Sequence, residues 1–493
     1  MSQSRTLLRL ASPNEHRTIS REDVGFYNAV VVGAIYEVDH ETIDLSLVQS
    51  FIEPLRQCVL KYPFLTVVVR DKNTDKPAYE GVSSLNLDDH ISILPAEIGE
   101  SGGSEMKTIE KSLPSILDRP WPADIPPWRI VVLPLTPAKT VSRCFIAFSF
   151  SHTIGDGTIG LTFHRTFQTA LSESLTSTPP TKDIPTTLLP LPANRALSEP
   201  FDTPSRLTIS WPYLLAPLAG AILPNFVTNL LGLRASASPI DNGTWTGAPI
   251  SHTITSTETT SHIRLLEIEA ALVTAALAKS RAHGAKLTAV LQQLIVRALS
   301  AALPNRDVTN FVSGTAVDMR ASVGLPAGEW GLFVTGHYEV HPRVENAGIL
   351  HEGQESDDNT SVLSEEMWTS ARAITHNLAA CAMRLQDQPI GLLRYAPSIR
   401  RWTVEKIGKR RDTSFEVSNL LAYGGHNIGE EGRGARGRVS VSKMVFAQPG
   451  NALSAPLVFN VVSVRGGSLV IAVTWQGGAL GLDNDGLKGE EGV

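Results

Sequence analysis

Residues 148–157 read Phe-Ser-Phe-Ser-His-Thr-Ile-Gly-Asp-Gly. The apolar run 144–150, Cys-Phe-Ile-Ala-Phe-Ser-Phe, predicts a buried strand that delivers His152 into a turn. Asp156 follows four residues on, and Gly157 comes next. Ile159, Phe163 and Phe167 then recur every fourth residue, the apolar stripe of a helix. Gly155 and Gly157 are expected to supply backbone angles that other residues resist. A histidine at the end of a strand, in a glycine-containing turn, suits a general base, because imidazole titrates near neutrality. The bland alternative is a capped surface histidine. In a chain with 13 His and 38 Gly, the pattern H-x-x-x-D-G should arise by chance only about 0.05 times. The turn also contains G-x-G-x-x-G (Gly155, Gly157, Gly160). A dinucleotide fold would then need a second parallel strand ending in an acidic residue about 20 residues later. A Ser/Thr/Pro-rich crossover follows instead, so that reading is rejected.

Working outward, 26–38 predicts a strand. Residues 43–61 predict a helix on Leu47, Phe51, Leu55 and Val59, with Pro54 as a kink or a later start. Residues 64–69 and 128–133 predict strands. Composition shifts to Ser, Thr and Pro from about 172 to 205. The most apolar window is 211–233, but Pro212, Pro217 and Pro224 break it. It is read as a lid, tunnel wall or interfacial helix, which leaves peripheral contact with a lipid surface open. Helices are expected at 268–282, 288–303 and 363–385, and strands at 311–317 and 415–421. A Gly-rich loop covers 424–437. Residues 439–446, 457–464 and 468–475 should close as antiparallel strands.

The chain's 493 residues allow two to four domains at roughly 100–200 residues each. With 43 Lys and Arg against 49 Asp and Glu, the net charge is −6, so no basic field recommends a nucleic-acid partner. Hydrophobic residues at 42% exclude a largely disordered chain. Cys58, Cys144 and Cys381 are far apart with no CxxC, which supports neither a disulfide framework nor a zinc ribbon and fits a reducing compartment. The first residues lack an uninterrupted apolar stretch, so no secretory signal is read and a cytoplasmic location is expected.

The segment from Ser151 to Gly157 resembles the H-x-x-x-D-G motif of CoA-dependent acyltransferases. Within that superfamily the chain looks most like the fungal alcohol acetyltransferase family, over roughly 20–480. Supporting segments are Pro127-Trp128-Arg129, 282–288 (AHGAKLT), Val317-Asp318-Met319-Arg320, Val417-Ser418-Asn419-Leu420 and Trp475. Two features depart from the superfamily pattern. Ser151 stands where many members have a second histidine, and the D-F-G-W-G motif of the plant branch is absent. Gly328-Glu329-Trp330-Gly331 is only an echo of it elsewhere.

The resemblance implies an α/β, two-domain chloramphenicol acetyltransferase-like fold. Mixed sheets would be flanked by helices, with an active-site tunnel between the domains. The expected boundaries are an N-terminal domain at 1–185, a crossover at 186–250 and a C-terminal domain at 251–493. Acetyl-CoA would be a co-substrate, with no permanently bound cofactor and no metal. The acceptor would be a small-molecule alcohol or amine, and the protein a monomer. The site implied is His152, Asp156 and Gly157, with His152 as base and Asp156 paired to Arg320 as a structural ion pair. The bland alternative for Arg320 is an exposed strand-end arginine. Ser418 and Asn419 are candidates for the oxyanion, against a reading as turn chemistry. Arg400, Arg401, Lys409 and Arg410 are candidates for the CoA phosphates, against a solvated helix face. O-acetyl transfer leads. N-acyl transfer to an amine such as a long-chain base, and a non-catalytic binding module of the same fold, are the alternatives.

Overall fold

A computed structural model describes residues 5–39, 44–95, 104–135, 141–176, 186–192, 195–223, 227, 238–252, 261–345, 363–424, 439–450 and 453–481. In chain order the first half holds β1 (Arg5–Leu10), α1 (Pro13–Asp23), β2 (Val30–Asp39), α2 (Gln49–Lys61), β3 (Val67–Arg70), β4 (Ala78–Val82), β5 (Ser84–Asn86) and β6 (Ile91–Ile93). It continues with α3 (Glu105–Leu117), β7 (Trp128–Pro134), β8 (Val141–Phe150), α4 (Gly157–Thr176), β9 (Leu188–Pro190) and α5 (Trp211–Ile222). The second half holds β10 (Ser261–Ile268), α6 (Ala270–Ala282), α7 (Leu287–Ala302), β11 (Asn310–Asp318), β12 (Val334–Pro342), α8 (Glu365–Met383) and α9 (Ile399–Val404). The chain closes with β13 (Phe415–Tyr423), β14 (Val439–Ala447), β15 (Leu457–Val464) and β16 (Leu469–Gln476).

Local sequence explains the elements nearest the site. Ser12 caps α1 by accepting from Glu15 N, while the Glu15 carboxylate accepts from Ser12 N at 2.8 Å. Pro13 sits in the first turn, where its missing N–H costs nothing. Helix α2 buries Phe51, Leu55 and Val59, but Leu47 lies before its start and is exposed. Pro54 falls inside it rather than starting a new helix. Helix α4 presents Phe163 to β8, where its ring stacks on Phe148 at 3.9 Å between centroids.

Two sheets organise the chain. The five-stranded sheet runs β14-β2-β8-β7-β6 and the six-stranded sheet runs β10-β16-β15-β13-β11-β12. The large core on one face of the first sheet is filled by α2 and α4. On its other face Val31, Ile35, Phe145 and Ala147 pack with α3 and with Val470 and Ala472 of the second sheet. This is the two-domain chloramphenicol acetyltransferase-like arrangement.

Several sequence expectations are corrected. The three closing strands do not form one antiparallel set. β14 leaves its neighbours and pairs antiparallel with β2, from Val439↔Val38 to Ala447↔Val31. β15 pairs antiparallel with β16 but parallel with β13. Its alternating apolar faces suit either sheet, so pattern alone could not place it. Residues Pro63–Thr66 form a 3-10 turn, so the strand expected from 64 begins at Val67. Ile268 ends β10, and the helix starts at Ala270. The Gly-rich loop, apart from Gly424, and nearly all of 224–237 lie outside the described residues. Among the described residues, no helix is long and apolar enough to cross a membrane.

Candidate active site

Strand β8 is held between β2 and β7, antiparallel to both. That also removes the dinucleotide reading, which needs parallel neighbours. At its end, Ser151 N donates to Pro127 O at 2.8 Å. The turn that follows has its carbonyls claimed one by one. Tyr79 Oη donates to Thr153 O at 2.6 Å, and Trp330 Nε1 donates to Ile154 O at 3.0 Å. His152 Nδ1 lies 2.8 Å from Gly155 O. A carbonyl can only accept, so Nδ1 carries the proton and the Nε2 lone pair is left free. The Tyr27 ring lies 5.6 Å from the imidazole. Burial pushes the His152 imidazole down to about 4, and the Arg17 charge adds to this. The ring is therefore neutral at pH 7.

The structure brings Asp156 and Arg320 together, and both are almost fully buried. Arg320 Nη2 lies 3.0 Å from each carboxylate oxygen. Phe333 N donates to Asp156 Oδ2 at 2.9 Å and Thr158 N to Oδ1 at 3.0 Å. Arg320 also donates from Nε to Glu329 O at 2.9 Å and from Nη1 to Asp318 Oδ1 at 2.9 Å. Gly331 O accepts from Asp156 N at 3.2 Å. The segment Glu329–Phe333 thus clamps the turn from the other half of the chain. Its signal was the Gly-Glu-Trp-Gly echo, which sequence reading left without a role.

The motif glycines act differently from expectation. Neither Gly155 nor Gly157 has a positive φ. A Cβ on Gly155 would lie 2.5 Å from Ile159 Cδ1, and one on Gly157 would lie 2.8 Å from Leu420 Cδ2 and 3.2 Å from Phe446 Cζ. Gly160 would place one 2.3 Å from Val32 Cγ2. These glycines are needed for close approach.

Leu420 belongs to β13, so the second sheet reaches the motif turn. The β13–β15 register slips between Asn419 and Ala422, and Leu421 within the bulge has φ 64°. Ser418 and Asn419 point to opposite faces. Asn419 Nδ2 donates to Thr288 Oγ1 of α7 at 3.0 Å, and its Oδ1 accepts from Leu421 N at 2.8 Å. Its amide is engaged with α7 and with its own strand. Ser418 shares its face with Glu416, opposite the face on which Phe415 and Val417 pack against Val296 and Leu299 of α7.

The basic run is largely tied into the fold. Arg400 pairs with Asp23 of α1 at 2.8 Å. Arg410 Nε donates to Thr246 Oγ1 at 3.1 Å and its Nη1 to Asp241 O at 2.8 Å. Arg411 Nε donates to Ala248 O at 3.1 Å. Arg401 is exposed and pairs with Glu405 at 2.6 Å. Lys409 is exposed. Arg400 and Arg401 also line an open pocket of about 310 Å³ with Asn73, Asp75 and Ser398.

Sequence reading missed α1 entirely, although Ser-Pro-Asn-Glu at 12–15 is a capping signature. Helix α1 brings Arg17, Arg21 and Glu22 to the motif. Glu22 accepts from Ser151 Oγ and pairs with Lys72. Where many superfamily members have a second histidine, this chain has a hydroxyl anchored to a buried carboxylate. Among the described residues, no three His, Cys, Asp or Glu side chains are grouped to hold a metal ion.

Comparison with known proteins agrees with this geometry. Two fungal relatives are each described as a probable alcohol acetyltransferase. One, from Fusarium pseudograminearum, is 22% identical over 87% of this chain and 81% of its own. The other, from Aspergillus fumigatus, is 24% identical over 93% and 92%. The fold matches a trichothecene 15-O-acetyltransferase from Fusarium sporotrichioides with a TM-score of 0.61 at 12% identity, covering 99% of this chain and 93% of that one. It also matches the condensation domain of a monacolin K polyketide synthase with a TM-score of 0.54 at 11% identity, covering 97% and 94%. The family model "Alcohol acetyltransferase" matches residues 20–480, and the chain belongs to that family of acyltransferases.

Proposed function

We propose that the protein transfers an acetyl group from acetyl-CoA to a hydroxyl of a small apolar molecule or secondary metabolite, with His152 as general base. The observation that carries this reading is the hydrogen bond from His152 Nδ1 to Gly155 O, which leaves Nε2 free to accept a proton. The acceptor hydroxyl gives its proton to Nε2 as its oxygen attacks the thioester carbon. Collapse of the tetrahedral intermediate forms the ester, breaks the C–S bond and returns the proton to the departing thiolate. No covalent enzyme intermediate is needed. The Ser418 hydroxyl is the donor proposed for the oxyanion. The Asp156–Arg320 pair holds the turn and takes no proton. In this reading, segments 1–185 and 251–493 form the two lobes, 186–250 crosses between them, and the tunnel runs along their seam past His152. Arg401 and Lys409, at the surface, are the residues proposed to meet the CoA phosphates.

The test is a metabolite extract incubated with isotopically labelled acetyl-CoA and enzyme, with products followed by mass spectrometry. Label in an ester supports the proposal. Label only in amides moves the activity to amines. Label in nothing but free acetate rejects acyl transfer to either acceptor class.

A further inference from the structure

Among the described residues, two arginines beside His152 have no carboxylate within ion-pair distance. Arg17 and Arg21 lie one turn apart on α1, on the helix face that also holds Asn14. Asn14 reaches Val334 O of β12, so this face looks onto the second sheet. The helix end is fixed against the motif, because Glu22 touches Ser151 and the Tyr27 ring packs on His152. Among the described residues, Arg17 donates to Asn14 Oδ1 alone, from Nε at 3.3 Å and Nη2 at 3.1 Å. The Arg21 side chain has no partner among the described residues, and its Nε is buried without one.

The nearby acids are mostly spoken for. Glu22 is held by Lys72, Asp23 by Arg400 and Asp412 by Lys406. Glu416, on the facing strand, accepts from Ser454 Oγ at 2.7 Å and has no ion pair among the described residues. Arg21 keeps an unpartnered Nε beside this carboxylate. There is also accessible surface between these elements: His152, Arg17, Arg21 and Tyr338 are each only half-buried. A guanidinium surrounded by protein without a counter-ion is costly, and desolvation pushes Arg17 down to about 9.

We infer that the chamber beside His152 receives an acceptor that carries a carboxylate, bound by Arg21 with Arg17 behind it. This deepens the proposed function and rests on it. The CoA phosphates are the wrong anion, because the pantetheine arm separates them from the thioester at His152.

The test is calorimetric titration of decanoate and methyl decanoate into the full-length protein with CoA present, using wild type, Arg21→Gln and Arg21→Lys. Decanoate should saturate wild type and bind Arg21→Gln roughly 10–100-fold more weakly, as expected for a lost charge-assisted hydrogen bond. Arg21→Lys should recover part of the loss, and the ester should not distinguish the variants. Equal binding of acid and ester, or of acid by wild type and Arg21→Gln, overturns the inference, as does no decanoate binding to wild type. The arms separate the two claims. Decanoate binding through Arg21 with no acetyl transfer to any acceptor rejects the transferase reading alone. Transfer with no dependence on Arg21 rejects the carboxylate site alone.

Discussion

An imidazole whose Nδ1 donates to a carbonyl three residues ahead has one tautomer and one orientation. At His152 that bond leaves a neutral Nε2, and burial with the Arg17 charge keeps the ring deprotonated. Removing either member of the pair behind it should be expensive. Asp156→Asn or Arg320→Ala strands a buried charge, at a cost of about 3–5 kcal/mol. Both variants should melt well below wild type by calorimetry, and unchanged melting in both would remove the ion pair from the account. The pairing of these two residues was expected from resemblance alone, since 164 residues separate them. What sequence could not supply was the clamp at Glu329–Phe333. Its hydrogen bonds to the motif and to Arg320 come mostly from backbone groups, which leave no mark on residue type.

At the scale of elements, the strand–turn–helix around the motif was legible because β8 is apolar and α4 keeps a four-residue stripe. The glycines were legible as special positions but not for the right reason. Their φ angles are ordinary; the constraint comes from Ile159, Leu420, Phe446 and Val32, which no local pattern reveals. Gly157→Ala should therefore act through overpacking and cost about 1–3 kcal/mol. Leu420→Ala in the same chain should recover part of that loss in chemical denaturation. No recovery would mean that backbone conformation matters after all. Asn419 teaches the same lesson. The Ser-Asn-Leu segment was visible, but only strand register shows that Asn419 faces α7 and Ser418 does not.

For the whole molecule, α/β class and family resemblance were readable, whereas the seam was not. Strand β14 joins the five-stranded sheet from a position near the end of the chain, a long-range choice that hydrophobic alternation leaves open. The interior also carries several uncharged histidines. Burial pushes His90, His152, His164 and His341 each to about 4. A histidine with a lowered folded value contributes stability above its unfolded value near 6.5 and loses it as pH falls toward the folded one. The melting temperature should therefore hold near neutrality and drop steeply between pH of about 6.5 and 4. A flat profile across that window would show that these rings are already protonated or accessible. Activity should follow the same sign, with the neutral base retained down to the point where the fold itself gives way.

The most direct measurement is the rate of acetyl transfer from acetyl-CoA by wild type and His152→Ala, with melting temperature recorded for both. Loss of a general base should lower kcat by about 10²–10⁴-fold while the fold persists. A His152→Ala protein that turns over at close to the wild-type rate would contradict the account at its centre.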